Sequence, residues 1–364
     1  MIYFITFCLS GFFFQMPNYV KNRHIKKMLN AIALMLPVLL AAFRGIDVGK
    51  DTSYYAYPVY NAAKSFEHFF NFIGYDRIEP AFLLLEYIGS KYMNSFAFVL
   101  GTIQFIIVFC FYKTIKKIYG EKYIAINMMI FYFFIYGSTL NAIRQYVAIA
   151  LTLLATTYFV EKKYVNTILL FILGVMFHQS AIITLLFWAI YVISDKNLIY
   201  KTVNILIIGF SLIFYITWEQ VFSIIFSNIT LLGSKYSDYL IYGDVGDRNE
   251  TSIIFGLIAL IIIYFVNKKS ETKWNKLLIS LSLIFIFYQP IVERLNVAGR
   301  MLLYPQAFLI MIYPQVHNIV YFRIGNKSTQ WISNFLILVF FTAIWYYTVI
   351  VHNSNSILPY TFMF

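Results

Sequence analysis

Residues 140–163 read LNAIRQYVAIALTLLATTYFVEKK. After Arg144 no charged side chain occurs until Glu161, and Lys162 and Lys163 follow at once. Beyond Gln145, hydroxyls and alanines are the most polar groups in between. An apolar stretch closed by a basic pair is what a helix crossing a bilayer of about 30 Å requires, since such a span takes about 20 residues. The basic end then belongs on the cytoplasmic side.

The rest of the chain repeats this pattern. Further apolar runs lie near residues 1–17, 28–43, 95–112, 123–137, 164–177, 180–194, 202–217, 252–267, 276–290, 301–315 and 331–351. The 364 residues are 61% hydrophobic and only 12% charged, with a mean hydropathy of +0.72. A water-soluble domain carries about 25% charged residues. The composition therefore excludes a soluble enzyme, a nucleic-acid-binding domain and a disulfide-stapled secreted module. Cys8 and Cys110 are far apart in apolar runs, so neither a metal nor a cofactor is expected. The predicted fold is all-α: a polytopic membrane protein of about 12 transmembrane helices, forming a single domain over 1–364. The 164–194 stretch also reads as one bent hairpin, and residues 79–92 as a short re-entrant or interfacial helix.

Charge orients this map. Counting gaps from an outside start, the inner loops hold Lys21, Arg23, Lys26 and Lys27, then Lys113, Lys116, Lys117 and Lys122, then Lys162 and Lys163. Lys196, Lys201, Lys268, Lys269, Lys273, Lys276, Arg323 and Lys327 continue the series, against the acids Glu121, Glu161, Asp195 and Glu271 alone. The net charge of +12 is thus a topology signal that calls for no nucleic-acid partner. Both termini are predicted outside, and the first segment, with its positive charges after it, reads as a retained span. The longest outer loops are 44–94 and 218–251, both rich in Tyr, Asp and Glu.

Polar residues cluster on the outer side. Arg144 lies four residues into its run, at a cost of about 2.5–3.5 kcal/mol for an arginine at bilayer depth, and Asn141 and Gln145 flank it. His178, with Gln179 and Ser180, interrupts two apolar runs in GVMFHQSAII. Arg294 and Arg300 bracket a late outer turn; Glu293 is a local partner for Arg294, while Arg300 has no adjacent acid. The first outer loop, FRGIDVGKDTSYY, gathers Arg44, Asp47, Lys50 and Asp51 between two glycines and the pair Tyr54 and Tyr55. Guanidinium forks match two phosphate oxygens at once, and tyrosine faces stack on sugar rings.

Five stretches in this order, FRGIDVGKDTSYY, LNAIRQYVAIALTLL, FHQSAII, GRMLLY and the final ILPYTFMF with Pro359 and Tyr360, resemble the EpsG-type family of Wzy-like bacterial polysaccharide polymerases, which make O-antigen, capsule or exopolysaccharide. The resemblance implies a glycosyltransferase of GT-C-like architecture, multi-pass in the bacterial plasma (inner) membrane. Such an enzyme joins undecaprenyl-diphosphate-linked oligosaccharide repeat units on the outer face, using one unit as donor and another as acceptor. It works beside a chain-length regulator and a repeat-unit flippase, and it needs no cofactor. The resemblance places Asp51, His178, Arg144 and Arg300 in catalytic roles. Arg44, Tyr54, Tyr55, Asn141, Gln145, Ser180, Arg294 and Tyr304 become substrate-binding residues. Arginines would hold the lipid diphosphate, and either Asp51 or His178 would serve the acceptor hydroxyl as base. A ligase that moves finished polysaccharide, and a flippase for the lipid-linked unit, are the alternatives.

Overall fold

The computed structural model describes residues 1–227, 250–269, 271–289, 292, 296–316 and 327–363. Among these residues the protein is all-helical, and the one extended pairing is an isolated bridge between Arg44 and Phe362. The chain forms two compact units, Met1–Ile182 with Ser328–Phe364, and Ile183–Lys327.

The first unit opens with helices α1 (Ile2–Gln15) and α2 (Arg23–Ala42), the second started by Asn22, whose side chain accepts the amide hydrogens of His24 and Ile25. Short helices α3 (Tyr57–Ala63) and α4 (Phe69–Phe72) lead to α5 (Pro80–Lys91). There follow α6 (Phe96–Tyr119), α7 (Ile124–Phe134), α8 (Tyr136–Asn141), α9 (Ile143–Val160) and α10 (Tyr164–Phe177). The second unit holds α11 (Thr184–Ile193), α12 (Asn197–Ser227), α13 (Glu250–Lys269), α14 (Lys273–Phe287) and α15 (Asn296–Leu309). α16 (Lys327–Trp345) carries the chain onward to a wider turn over Tyr346–Val351.

Among the described residues, four stretches are long and apolar enough to cross a membrane: Arg23–Ala42, Phe96–Tyr119, Ile143–Val160 and Trp331–Val351. Shorter apolar helices cover Tyr164–Phe177, Gln179–Ile193, Asn197–Ile213 and Ile253–Lys268. α9 is the innermost of the four, with 78% of its apolar window buried, and it packs between α6 and α10. Its composition explains that position. Ala148, Ala150 and Ala155 are fully buried, and Gly174 of α10 faces Thr152 so closely that an added Cβ would press on its methyl. Small residues of this kind let helix backbones approach in a membrane protein. The buried hydroxyls of Thr152 and Thr156 are satisfied within the helix, donating to the carbonyls of Ala148 and Thr152 at 2.8 Å.

Several expected spans are broken. The 123–160 stretch bends at Ile135 and again at Ala142, which sits at φ −90° and ψ 60°, giving α7, α8 and α9 in place of two continuous helices. The 164–194 stretch is interrupted by His178 in extended conformation, followed by a tight 3-10 turn over Gln179–Ile183. Loop 44–94 is itself largely helical. Its own core is aromatic: Phe72 packs on Phe66, Tyr75 and Tyr87, and the Tyr87 hydroxyl donates to the carbonyl of Glu67 at 2.6 Å. Residues 79–92 do form a short helix, α5, which packs on α3, α6 and α10. α12 continues through Ser227, so the stretch read as loop 218–251 begins as helix, and 228–249 lies outside the described residues.

In the second unit α14 is central and packs on α11, α12, α13 and α15. Lys276 at its start binds the side chain of Asn197 at 2.7 Å and the carbonyl of Ser194 at 3.1 Å, and it pairs with Glu271 at 2.6 Å.

Candidate functional site

The stretch 43–52 is a short loop braced from two sides. On one side lies the end of the chain. The Gly45 amide donates to the carbonyl of Thr361 at 2.8 Å, the Met363 amide to Phe43 at 3.0 Å and the Gly49 amide to Ser356 at 2.9 Å. On the other side lies α8, so near that a Cβ on Gly49 would run into the carbonyl oxygen of Leu140. Gly49 also sits at φ +83°, a left-handed conformation natural only to glycine.

Arg44 is built into this junction. It is 1% exposed, and its guanidinium donates to the Thr52 hydroxyl at 3.1 Å and to the carbonyls of Ala41 and Leu140 at 3.4 Å. Burial pulls its pKa below the ordinary arginine value, and the surrounding tyrosine oxygens of Tyr136, Tyr3, Tyr360 and Tyr55 offset part of that. Tyr360, from the Pro-Tyr of the sequence, donates to the carbonyl of Leu40 at 2.7 Å and meets the ring of Tyr3 edge-on. Arg44 thus faces protein oxygens and ties the loop to α2 and α8.

Above it the loop presents Asp51. The Asp51 amide is directed at the side-chain oxygen of Asn141 at 3.4 Å, and its carboxylate accepts a hydrogen bond from the Tyr55 hydroxyl at 2.9 Å. Burial, then the neighbouring Asp51 charge, raises the Tyr55 pKa well above that of a free phenol, so Tyr55 remains a donor. Tyr54 beside it is 79% exposed.

The Tyr55 ring is the floor for Arg144, whose guanidinium carbon lies 4.5 Å from the ring centre and 5.8 Å from that of Phe82. Because α9 begins at Ile143, Arg144 is the second helical residue and stands in the first turn, nearer the helix end than its place in the apolar run suggested. Its counter-charge is Glu79, at 2.5 Å. Gln145, adjacent in sequence, is 3% exposed and turned into the protein.

Glu79 joins the remaining motif. Its second carboxylate oxygen lies 3.4 Å from the amide of Gln179, the residue after His178. The imidazole Nδ1 of His178 lies 2.6 Å from the Ser180 hydroxyl and 3.2 Å from the Ser180 amide. The amide can only donate, so Nδ1 is an acceptor and the neutral ring carries its hydrogen on Nε2.

One end of the first unit therefore brings together Asp51, Tyr55, Asn141, Arg144, His178 and Ser180, with Arg44 beneath them. Arg300 and Tyr304 belong to α15 in the second unit, Arg300 exposed and Tyr304 fully buried. Arg294 lies outside the described residues. Sequence reasoning missed Glu79. It precedes Pro80 at the start of α5, a common place for an acid, and only the fold carries it to α9 and to the 178–180 turn. It also missed Glu86, two turns further along α5, which is 0% exposed and whose carboxylate oxygens have no hydrogen-bond partner among the described residues. Burial raises the pKa of Glu86 well above the ordinary carboxylate range. Among the described residues no group of three or more His, Cys, Asp or Glu is placed to hold a metal.

No curated protein and no solved structure matches the chain. The EpsG family model matches residues 27–362, from the first turns of α2 to the tail that braces the 43–52 loop. With nearly its whole length covered, the chain belongs to the EpsG family of Wzy-like polymerases.

Proposed function

We propose that this protein joins lipid-diphosphate-linked oligosaccharide units, carried on undecaprenyl diphosphate, at the outer face of the bacterial plasma membrane. The observation that carries this reading is the Arg144 cluster: a guanidinium in the first turn of a buried apolar helix, floored by Tyr55 and held by one displaceable carboxylate, Glu79. A diphosphate entering there would compete with Glu79 for the same two-pronged donor.

In the reaction, the bond between the anomeric carbon and the diphosphate oxygen breaks, and a bond forms from that carbon to the acceptor hydroxyl oxygen. Arg144 receives the negative charge that develops on the leaving diphosphate. Fixed cations in a water-poor site are worth far more than in water. Asp51 takes the proton of the acceptor hydroxyl. His178 is assigned instead to hydrogen-bond donation through Nε2–H, since Nδ1 is committed to Ser180. Tyr54, with most of its ring exposed, offers a stacking face for a sugar.

The wider assignment is a single multi-pass domain over 1–364 of about 12 spans with both termini outside. The basic inner loops support it. So does the position of Tyr3, whose hydroxyl donates to the carbonyl of Ile357 at 3.2 Å, bringing the first helix to the tail at the Arg44 end.

A polysaccharide ladder tests the function. Cells lacking the protein, and cells carrying Arg144→Ala, should accumulate single repeat units, with polymer reduced on the order of a hundredfold. Full-length polymer stranded on its carrier would instead indicate a ligase. Single units trapped on the inner side would indicate a flippase.

A further inference from the structure

At the far end of α2 from Arg44, the first unit contains a cavity of about 490 Å³. α2 has 20 residues, so the two ends are about 30 Å apart, the thickness of a bilayer core. The cavity is lined by Lys21, Arg23, Lys26, Lys27 and Lys116, with Glu121 the one acid. Glu121 is taken up by Lys116 at 2.8 Å, and that hydrogen bond, the Lys116 charge and the more distant Lys26 hold its pKa below the ordinary carboxylate value. Four cations are then left facing one space at the amino end of a helix, where the helix dipole also favours an anion.

The floor of the cavity is different in kind. Asn30, Ala31, Leu34 and Tyr112 form its deeper wall, and the buried side-chain oxygen of Asn30 has no hydrogen-bond partner among the described residues. On the opposite face of α2 from the cavity, Ile25, Met28, Ile32, Met35 and Leu39 are all exposed. Their alternating spacing of three and four places them on one stripe of α2. The lining thus matches a headgroup, an anion among the lysines with a hydroxyl that donates to Asn30, while the exposed apolar face sets α2 against lipid at the same depth.

We propose that this cavity binds the phosphate headgroup of an anionic lipid with a glycerol-type hydroxyl, on the membrane side opposite the Arg144 cluster. Positive loops set topology wherever they lie, but topology does not require them to converge on one cavity with an unpartnered amide oxygen in its wall. Basic pockets between membrane helices on the cytoplasmic side are suited to lipid phosphates.

The test is native mass spectrometry of the full-length protein released from nanodiscs of equal phosphatidylglycerol and phosphatidylcholine. Wild type should retain phosphatidylglycerol in preference to phosphatidylcholine. Lys26→Gln with Lys27→Gln should reduce that retention on the order of tenfold, while Lys162→Gln with Lys163→Gln, in a different basic loop, should leave it unchanged. Equal retention in all three proteins would overturn the proposal, as would an equal loss in both variants. Preferential binding of inorganic pyrophosphate over phosphatidylglycerol by the wild type in detergent would overturn the lipid assignment. Should the Lys26/Lys27 variant fail to fold, Arg23→Gln and a salt titration of the wild type decide the matter: retention that survives both refutes the site.

Discussion

Glu79 and Glu86 stand two turns apart on or beside α5, yet their carboxylates have opposite surroundings. Glu79 meets a guanidinium and an amide; Glu86 meets apolar protein and holds its proton. Both oxygens of an ionised Glu86 would be stranded, and α5 lies outside the spanning helices, where solvent conditions reach the unfolded chain freely. The consequence for stability has a definite sign. In the folded state the Glu86 pKa is raised, so the folded protein keeps a proton that the unfolded chain releases above the ordinary carboxylate range. Stability is therefore complete below that range and falls as pH rises toward the folded value, by about 1.4 kcal/mol per pH unit across the window. Glu86→Gln should remove this slope and melt higher than wild type at neutral pH. Thermal unfolding in detergent from about pH 4 to pH 8 checks it, and parallel slopes for the two proteins would show that Glu86 is ionised and partnered.

At the scale of elements, the decisive piece is the contact between the 43–52 loop and α8. Gly49 permits it through a left-handed backbone and the absence of a side chain. Gly49→Ala should cost on the order of 1–3 kcal/mol. It should also impair polymer synthesis beyond what the lost stability explains, because the obstructed carbonyl of Leu140 precedes Asn141, which faces Asp51. Polymer yield measured at matched amounts of folded protein separates the two effects; an unchanged yield would show that the loop adjusts freely. Much of the element pattern was legible beforehand. The run after Arg144 reads as a buried helix because its residues are small and apolar, and α5 was visible in EPAFLLLEYIGSKY. The breaks at Ile135 and Ala142 were not, since neither position carries glycine or proline and the bends arise from how α7, α8 and α9 pack. Glu79 was hidden for a similar reason: its partners lie 65 and 100 residues away.

Across the whole molecule, charge asymmetry was readable from residue order alone because it depends on loop composition and on no contact. The pairing of distant motifs was readable only as a family pattern. Its orientation is open to a direct test. In a background with Cys8 and Cys110 changed to Ser, Tyr54→Cys should react with a membrane-impermeant maleimide in intact cells, whereas Lys163→Cys should react only after the membrane is opened. Both native positions are exposed enough to label, and the reverse pattern would invert the topology. The tail that braces the Arg44 loop has a further consequence, one of timing. Thr361 and Asp47 are hydrogen-bonded across 314 residues of sequence. A ribosome delivers the brace 314 residues after the loop, so the loop stays open over that whole interval of translation. A chain stalled partway, already threaded through the bilayer, would hold its arginines and carboxylates in no working arrangement. The cell is thereby spared a half-made polymerase at work.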